Sequence, residues 1–246
     1  MGLSDGLETL TPLQQQYMLS LELQRRKSRN KLSTYYPDTG PLRRELYAKH
    51  LEFFEAGDKY RERCFMAANR IGKTEGAGGY ETALHVTGLY PDWWQGRRFP
   101  KHCNFWCAGK TNETTRDIIQ AKLFGQVAWV DGKKTFDGTG LIPGDLILDC
   151  AWKQGVSDLA DTVKIKHTSG TTSRIALKSY QQGRGSFEGT EQDGVWLDEE
   201  PPQDIYGECL IRTATTNGLV YITFTPLEGM SDVVMSFLPK EYRASA

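Results

Sequence analysis

No run of 18 apolar residues occurs in this chain, and its first residues, Met-Gly-Leu-Ser-Asp-Gly, lack both the basic start and the apolar stretch of a secretory signal. The expectation is a protein that is neither secreted nor membrane-spanning. Charge bias is missing as well: 30 basic against 31 acidic residues leave a net charge of −1. This excludes a globally basic nucleic-acid binder but leaves room for local patches. Cysteines number only five, an odd count, and mostly sit in apolar strand-like runs, so they read as buried thiols in a reducing compartment. Cys103 and Cys107 with His102 invite a metal reading. Strand alternation would hold the two thiols about 13 Å apart, too far for one zinc. The four histidines show no ligand spacing, and no internal repeat or low-complexity segment appears. What is present, 246 residues with 39% apolar and 25% charged content, suffices for one large α/β domain or two small ones with a full core.

Hydrophobic spacing predicts alternating strands and helices. Thr11-Pro12 caps a helix carrying Leu13, Tyr17, Leu21 and Leu23, which runs into the basic cluster Arg25-Arg26-Lys27-Ser-Arg29-Asn-Lys31. Pro41 is expected to open a second helix with Leu42, Leu46, His50, Phe53 and Phe54, ended by Gly57. An apolar strand follows from Cys64 to Ala68, then a helix over 73–88 whose Gly76, Gly78 and Gly79 permit close approach to a sheet. A strand Asn104–Ala108 precedes a helix over 112–124 with an Ile118, Ile119, Leu123 stripe. The stretch 125–160 carries no clear pattern. Val163–His167 and Arg174–Lys178 alternate at period two and predict a hairpin or two neighbouring strands. A glycine-punctuated loop, 181–189, leads to a strand ending at Asp198; Pro201-Pro202 starts a helix to about Thr216, and Leu219–Phe224 forms a last strand that Thr225-Pro226 breaks. Such alternation predicts a mostly parallel sheet covered on both faces, with ligands at the C-terminal strand ends. Arg97, Arg98 and Lys101 form a second small basic patch, read like the first as a solvated face or loop.

Chemistry concentrates at three of those ends. Strand 64–68 runs into Asn69-Arg70-Ile71-Gly72-Lys73-Thr74-Glu75, where backbone N–H groups and a helix N-terminus would converge on an anion, Lys73 neutralise β- and γ-phosphates, and Thr74 ligate Mg²⁺. Gly194, 121 positions after Lys73 (194 less 73), opens Gly-Val-Trp-Leu-Asp198-Glu199-Glu200, offering one carboxylate to a metal and a second to an attacking water. The pair points to nucleotide hydrolysis. Ala67 stands where the usual loop pattern has its first glycine. A second Gly109-Lys110-Thr111 has no aspartate-ending strand of its own and reads as a strand end and helix cap, with Lys110 facing solvent. Thr225, at the end of the third strand, suits a sensor of the γ-phosphate.

The set Ala67-Ala68-Asn69-Arg70-Ile71-Gly72-Lys73-Thr74-Glu75, Thr111–Asp117, Ser186-Phe-Glu-Gly-Thr190, Val195–Pro201 and Thr223-Phe-Thr225-Pro226-Leu-Glu-Gly229 resembles the ATPase part of the large terminase subunit of tailed bacteriophages, over about residues 40 to 235. The resemblance implies a P-loop NTPase fold of the ASCE type behind an N-terminal helical arm, with residues 1–40 as the arm and 41–246 as the ATPase domain. It implies ATP and Mg²⁺ as ligands, bound by Ala68 to Glu75, with Lys73 and Thr74 as the Walker A pair, Asp198 for the metal, Glu199 as the base, and Thr223 and Thr225 in the coupling motif. Many terminases place a finger arginine three residues before the loop glycine; here that position is Asn69, and Arg70, one step later, is the candidate in-chain finger. Tyr47, Phe53 and Phe54 precede the phosphate strand, where related motors hold adenine, and either one stacks on the base or all pack in the core. Arg184, between two glycines, is a candidate finger reaching a neighbour's site, or a DNA-phosphate or solvent contact. Trp93 and Trp94 anchor a loop or meet a partner. The family acts on double-stranded DNA with the portal protein and small terminase subunit, as a homo-oligomeric ring, a pentamer by resemblance. A monomer is expected in dilute solution. The implied setting is the host cell cytoplasm, transiently at the procapsid portal vertex. The family's nuclease domain is expected to be absent from this chain, which would then be a fragment. A helicase-like or other P-loop ATPase is the alternative; helicases of the related superfamilies normally carry two tandem motor domains, and this length has room for one. A nucleotide-gated structural subunit would have little need of Glu199.

Overall fold

The computed structural model describes residues 11–68, 70–226, 229 and 231–238, apart from the side chains of 22 and 25–29. Helix α1 (Pro12–Arg29) begins where the sequence predicts, because Thr11 and Gln14 cap each other: the Gln14 amide donates to Thr11 Oγ1 (3.4 Å) and the Thr11 amide to Gln14 Oε1 (2.9 Å). Leu13, Tyr17, Leu21 and Leu23 are all exposed. After the short α2 (Lys31–Thr34), Leu32 and Tyr36 enter the core, so packing of the main body begins near residue 32 rather than 41. Helix α3 (Ala48–Lys59) starts later than Pro41, behind a 3₁₀ turn at Arg44–Tyr47, and leaves Leu42 and Leu46 exposed. It also continues through Gly57. A side chain there would press on the buried Arg63 guanidinium, 2.9 Å from the position of its Cβ, so Gly57 makes room rather than ending the helix.

Strand β1 (Glu62–Met66) sits two residues earlier than expected and feeds a wide π-helical turn, Lys73–Gly79, that continues into α4 (Tyr80–Thr87). Strand β2 (Asn104–Gly109) leads to α5 (Asn112–Thr114), a second π turn (Thr115–Gln120) and α6 (Ala121–Phe124), a continuous rod over the expected span. Its inward face is Thr115, Ile119 and Leu123, while Ile118 is exposed, since the wider turns rotate the stripe by one position. The region without a pattern holds a small ribbon, β3 (Val127–Val130) with β4 (Lys133–Phe136), and the edge strand β5 (Ile147–Trp152). Then come β6 (Ala160–Lys166), β7 (Thr172–Ser179), β8 (Gly194–Asp198), α7 (Gln203–Arg212), β9 (Leu219–Phe224) and α8 (Asp232–Phe237). Helix α7 stops four residues short of Thr216, and the loop 181–189 is two 3₁₀ turns.

The main sheet has seven strands in the order β1-β9-β8-β2-β7-β6-β5. The first five run parallel; β6 and β5 join antiparallel. Side chains alternate between two cores. Phe53, Phe54, Leu84, Leu123, Trp196 and Tyr221 share one face, and Trp106, Val195, Leu197, Ile205, Ile222 and Val233 the other. Helices thus cover both faces of a mostly parallel α/β sheet, in which β9 separates β1, which leads into the Gly-Lys-Thr turn, from β8, which ends at Asp198. That order decides what meets in the site. Among helices of the described residues none is long and apolar enough to cross a membrane.

Candidate active site

The loop after β1 turns on two residues in left-handed backbone: Arg70 (φ 64°) and Gly72 (φ 84°). Gly72 then opens the wide turn, its carbonyl accepting from the amides of both Gly76 (2.7 Å) and Ala77 (3.1 Å). Lys73 follows at once and is buried, 7% exposed. Its ammonium donates to the Ala68 carbonyl (3.1 Å) and to Thr225 Oγ1 (2.7 Å), and Thr225 donates in turn to the Ala67 carbonyl (3.0 Å). The loop lysine is therefore held by its own loop and by the residue just past the end of β9.

Across β9, Asp198 ends β8 at 4% exposure. Thr74 Oγ1 donates to Asp198 Oδ1 (2.9 Å), as does Thr223 Oγ1 (2.8 Å), and the indole Nε1 of Trp196 donates to Thr223 Oγ1 (2.8 Å). Burial pushes the Asp198 carboxyl up to about 7; the hydrogen bonds from Thr223 and Thr74 work the other way, Glu199 adds to the rise and Lys73 opposes it. Glu199 turns out into solvent on a left-handed backbone (φ 66°), its amide bonded to the Thr223 carbonyl (3.0 Å). Buried Tyr180 fixes that bend, its hydroxyl 2.9 Å from both the Asp198 and Glu199 carbonyls. Glu200 instead accepts from Ser231 Oγ. Only one carboxylate of the Asp-Glu-Glu run thus presents itself at the exposed strand end. The oxygen pair of Thr74 and Asp198 is a hard donor set suited to Mg²⁺.

The segment 31–50 grips the back of the loop. His50 Nε2 donates to the Ile71 carbonyl (3.1 Å), the Tyr36 hydroxyl lies between His50 Nδ1 (2.6 Å) and the Gly76 carbonyl (2.7 Å), and Lys31 pairs with Glu75. Burial holds His50 below the usual imidazole range. Lys122 also pairs with Glu75 at 2.6 Å, so the Glu75 carboxylate is committed to two lysines. Beside this clasp lies a cleft of 480 Å³ lined by Tyr35, Tyr47, His50, Arg70, Ile71 and Gly72 among others. Of the three aromatic candidates for a base, Tyr47 lines it, whereas Phe53 and Phe54 are core residues.

Other candidates find plainer places. Arg184 is half exposed, and its guanidinium donates to Glu208 Oε2 (3.0 and 3.1 Å), a buried carboxylate that Arg212 also holds. Thr111 caps the helix after β2, its hydroxyl accepting from the Thr114 amide (3.1 Å), as the second Gly-Lys-Thr reading expects, and Lys110 is exposed. Arg97 and Arg98 tie their loop to carbonyls of Asn217, Pro91 and Trp94. Trp94 is buried, and Trp93 stacks on Tyr80. Cys103, Cys107 and Cys209 are buried, Cys64 and Cys150 half-buried, and no metal-binding cluster of His, Cys, Asp and Glu occurs among the described residues. Asn69 lies outside the described residues. Sequence reasoning missed Trp196, Tyr180, Tyr36 and His50 as parts of the site. Trp196-x-Asp198 and Tyr221-x-Thr223 were visible signals, since period two places each pair on one sheet face.

Over residues 64–246 the chain matches the family described as terminase large subunit, T4likevirus-type, N-terminal. It is 41% identical over 211 residues to the terminase large subunit of Salmonella phage P22, covering 78% of this chain and 41% of that one; the chain thus spans less than half the length of that curated relative. Among solved structures it resembles the large terminase ATPase domain of Thermus phage P74-26 (12% identity, TM-score 0.49, covering 78% of this chain and 72% of that one). It also resembles a large terminase from a thermophilic bacteriophage in complex with ADP (15% identity, TM-score 0.42, covering 81% and 38%).

Proposed function

This chain belongs to the terminase large subunit family, and from that premise we propose that it is the ATP-hydrolysing motor domain that drives double-stranded DNA through the portal into an empty capsid. The observation that carries the reading is the convergence of Lys73, Thr74, Asp198, Glu199, Thr223 and Thr225 at one edge of the sheet. Lys73 exchanges its carbonyl and Thr225 partners for the β- and γ-phosphates of ATP. Thr74 and Asp198 would hold Mg²⁺, which when bound would supply charge neutralisation at the transferring phosphoryl group. Glu199 accepts a proton from, or orients, the attacking water at the exposed strand end. Because the Lys73–Thr225 bond joins the phosphate loop to the end of β9, an exchange of partners at Lys73 breaks that link while Thr225 keeps its bond to Ala67, a direct route from nucleotide state to the end of β9.

In the same reading the chain works in a homo-oligomeric ring of five subunits on the portal, is monomeric in dilute solution, receives DNA with the small terminase subunit, and acts in the host cell cytoplasm at the portal vertex. The test is Lys73→Ala: ATP hydrolysis should be abolished and nucleotide affinity weakened. Normal turnover by folded Lys73→Ala protein refutes the assignment.

A further inference from the structure

Asp198 is the end of a directed hydrogen-bond chain, and we propose that Trp196 is a positioning residue that sets which Asp198 oxygen faces the metal. The inference rests on the nucleotide-hydrolysis reading above. Trp196 and Asp198 lie two apart on β8 and so share a face; Thr223 is the registered neighbour of Asp198 on β9. An indole N–H only donates, so at 2.8 Å it occupies a lone pair of Thr223 Oγ1 and bars that hydroxyl from donating back. The hydroxyl's single proton is thereby committed to Asp198 Oδ1, 2.8 Å away. Thr74 also favours Oδ1 (2.9 Å) over Oδ2 (3.3 Å). The carboxylate is held by one oxygen, and Oδ2 is left as the more available electron pair for a cation.

The third wall of the relay is the phosphate-loop helix itself. A Cβ at Gly78 would stand 2.1 Å from Trp196 Nε1, a clash with the donor atom. Gly78 is therefore the opening through which the indole reaches Thr223, and the wide turn carrying Lys73 and Thr74 is laid directly on the relay. Trp196 and Thr223 are both fully buried, which removes water as a substitute partner.

The test measures ADP affinity by calorimetry with Mg²⁺ and with EDTA, for wild type, Trp196→Phe, Thr223→Val, Thr223→Ser and the Trp196→Phe/Thr223→Val double variant, with thermal unfolding as the check on folding. Loss of one link should weaken the Mg²⁺-dependent part of the affinity about 3- to 10-fold, the scale of one hydrogen bond, and leave the EDTA value unchanged. Thr223→Ser keeps the hydroxyl and should restore it. The double variant should be no worse than Thr223→Val alone, because both remove the same chain. Wild-type Mg²⁺-dependent binding with Trp196→Phe unaffected overturns the relay alone, as do multiplicative effects in the double variant or equal losses with and without Mg²⁺. Should Trp196→Phe fail to fold, the Thr223→Val and Thr223→Ser pair decides. A folded wild-type protein with no Mg²⁺-dependent nucleotide binding overturns both the relay and the reading beneath it.

Discussion

Raising the pH should destabilise the metal-free protein through Asp198, and Asp198→Asn should remove that dependence. Burial lifts this carboxyl from 3.8 to about 7. The folded state therefore keeps a proton that the unfolded chain has lost between those values, and stability falls as pH rises through that window. The contribution is fully present below about pH 4 and is lost by about pH 7. A shift of roughly three units corresponds to on the order of 4 kcal/mol, of which about 3 kcal/mol falls between pH 5 and 8. The magnitude follows from a side chain 4% exposed, whose two hydroxyl donors offset only part of its desolvation. Asparagine retains an oxygen acceptor for Thr223 and carries no charge at any pH. Urea unfolding in EDTA at pH 5, 6, 7 and 8 should show the wild-type curve falling relative to Asp198→Asn; the other titrating groups are common to both proteins and cancel. Parallel curves across this range would refute the burial argument. Added Mg²⁺ and ADP should restore wild-type stability at pH 8 and do much less for the variant.

Glu199→Gln should retain ATP binding and lose turnover by about 10²- to 10⁴-fold, while Glu200→Gln, whose wild-type carboxylate accepts from Ser231, should remain active; the reverse outcome would shift the assignment of the base by one residue. Arg184→Ala should leave nucleotide affinity nearly intact and lower turnover of the assembled ring roughly 10³-fold, with partial recovery on co-assembly with Glu199→Gln subunits; no recovery, together with lost DNA affinity, would assign Arg184 to the DNA track. For that role the arginine must leave Glu208, so Glu208→Gln should not impair it. Tyr47→Ala should weaken ATP binding about 10-fold but leave inorganic triphosphate binding unchanged, and equal losses for both ligands would place the base elsewhere.

The chemistry of the site was legible in the chain because it is local. Gly72-Lys73-Thr74 and Asp198-Glu199 each lie at the end of an apolar run, and a strand end delivers its next residues to a fixed edge whatever the rest of the fold does. Strand β9 is legible with its observed ends for the same reason: six residues, five of them apolar, between Gly218 and Thr225-Pro226 leave no other boundary. Helix ends are less legible in the sequence. Gly57 looked like a terminator, but its local tendency yields to the buried Arg63 beside it, a residue placed there by β1. Ile118 looked like core, but π turns rotate the face of their rod, and no spacing rule announces them. Strand order lay beyond sequence altogether. That β9 stands between β1 and β8 is a matter of long-range pairing, and it alone brings Thr225 to Lys73 and Thr223 to Asp198, contacts spanning 152 and 25 residues. Local sequence settles which groups reach the sheet edge, and strand order settles which of them touch, because hydrogen bonds of under 3 Å depend on which strands pair, and no local pattern records that.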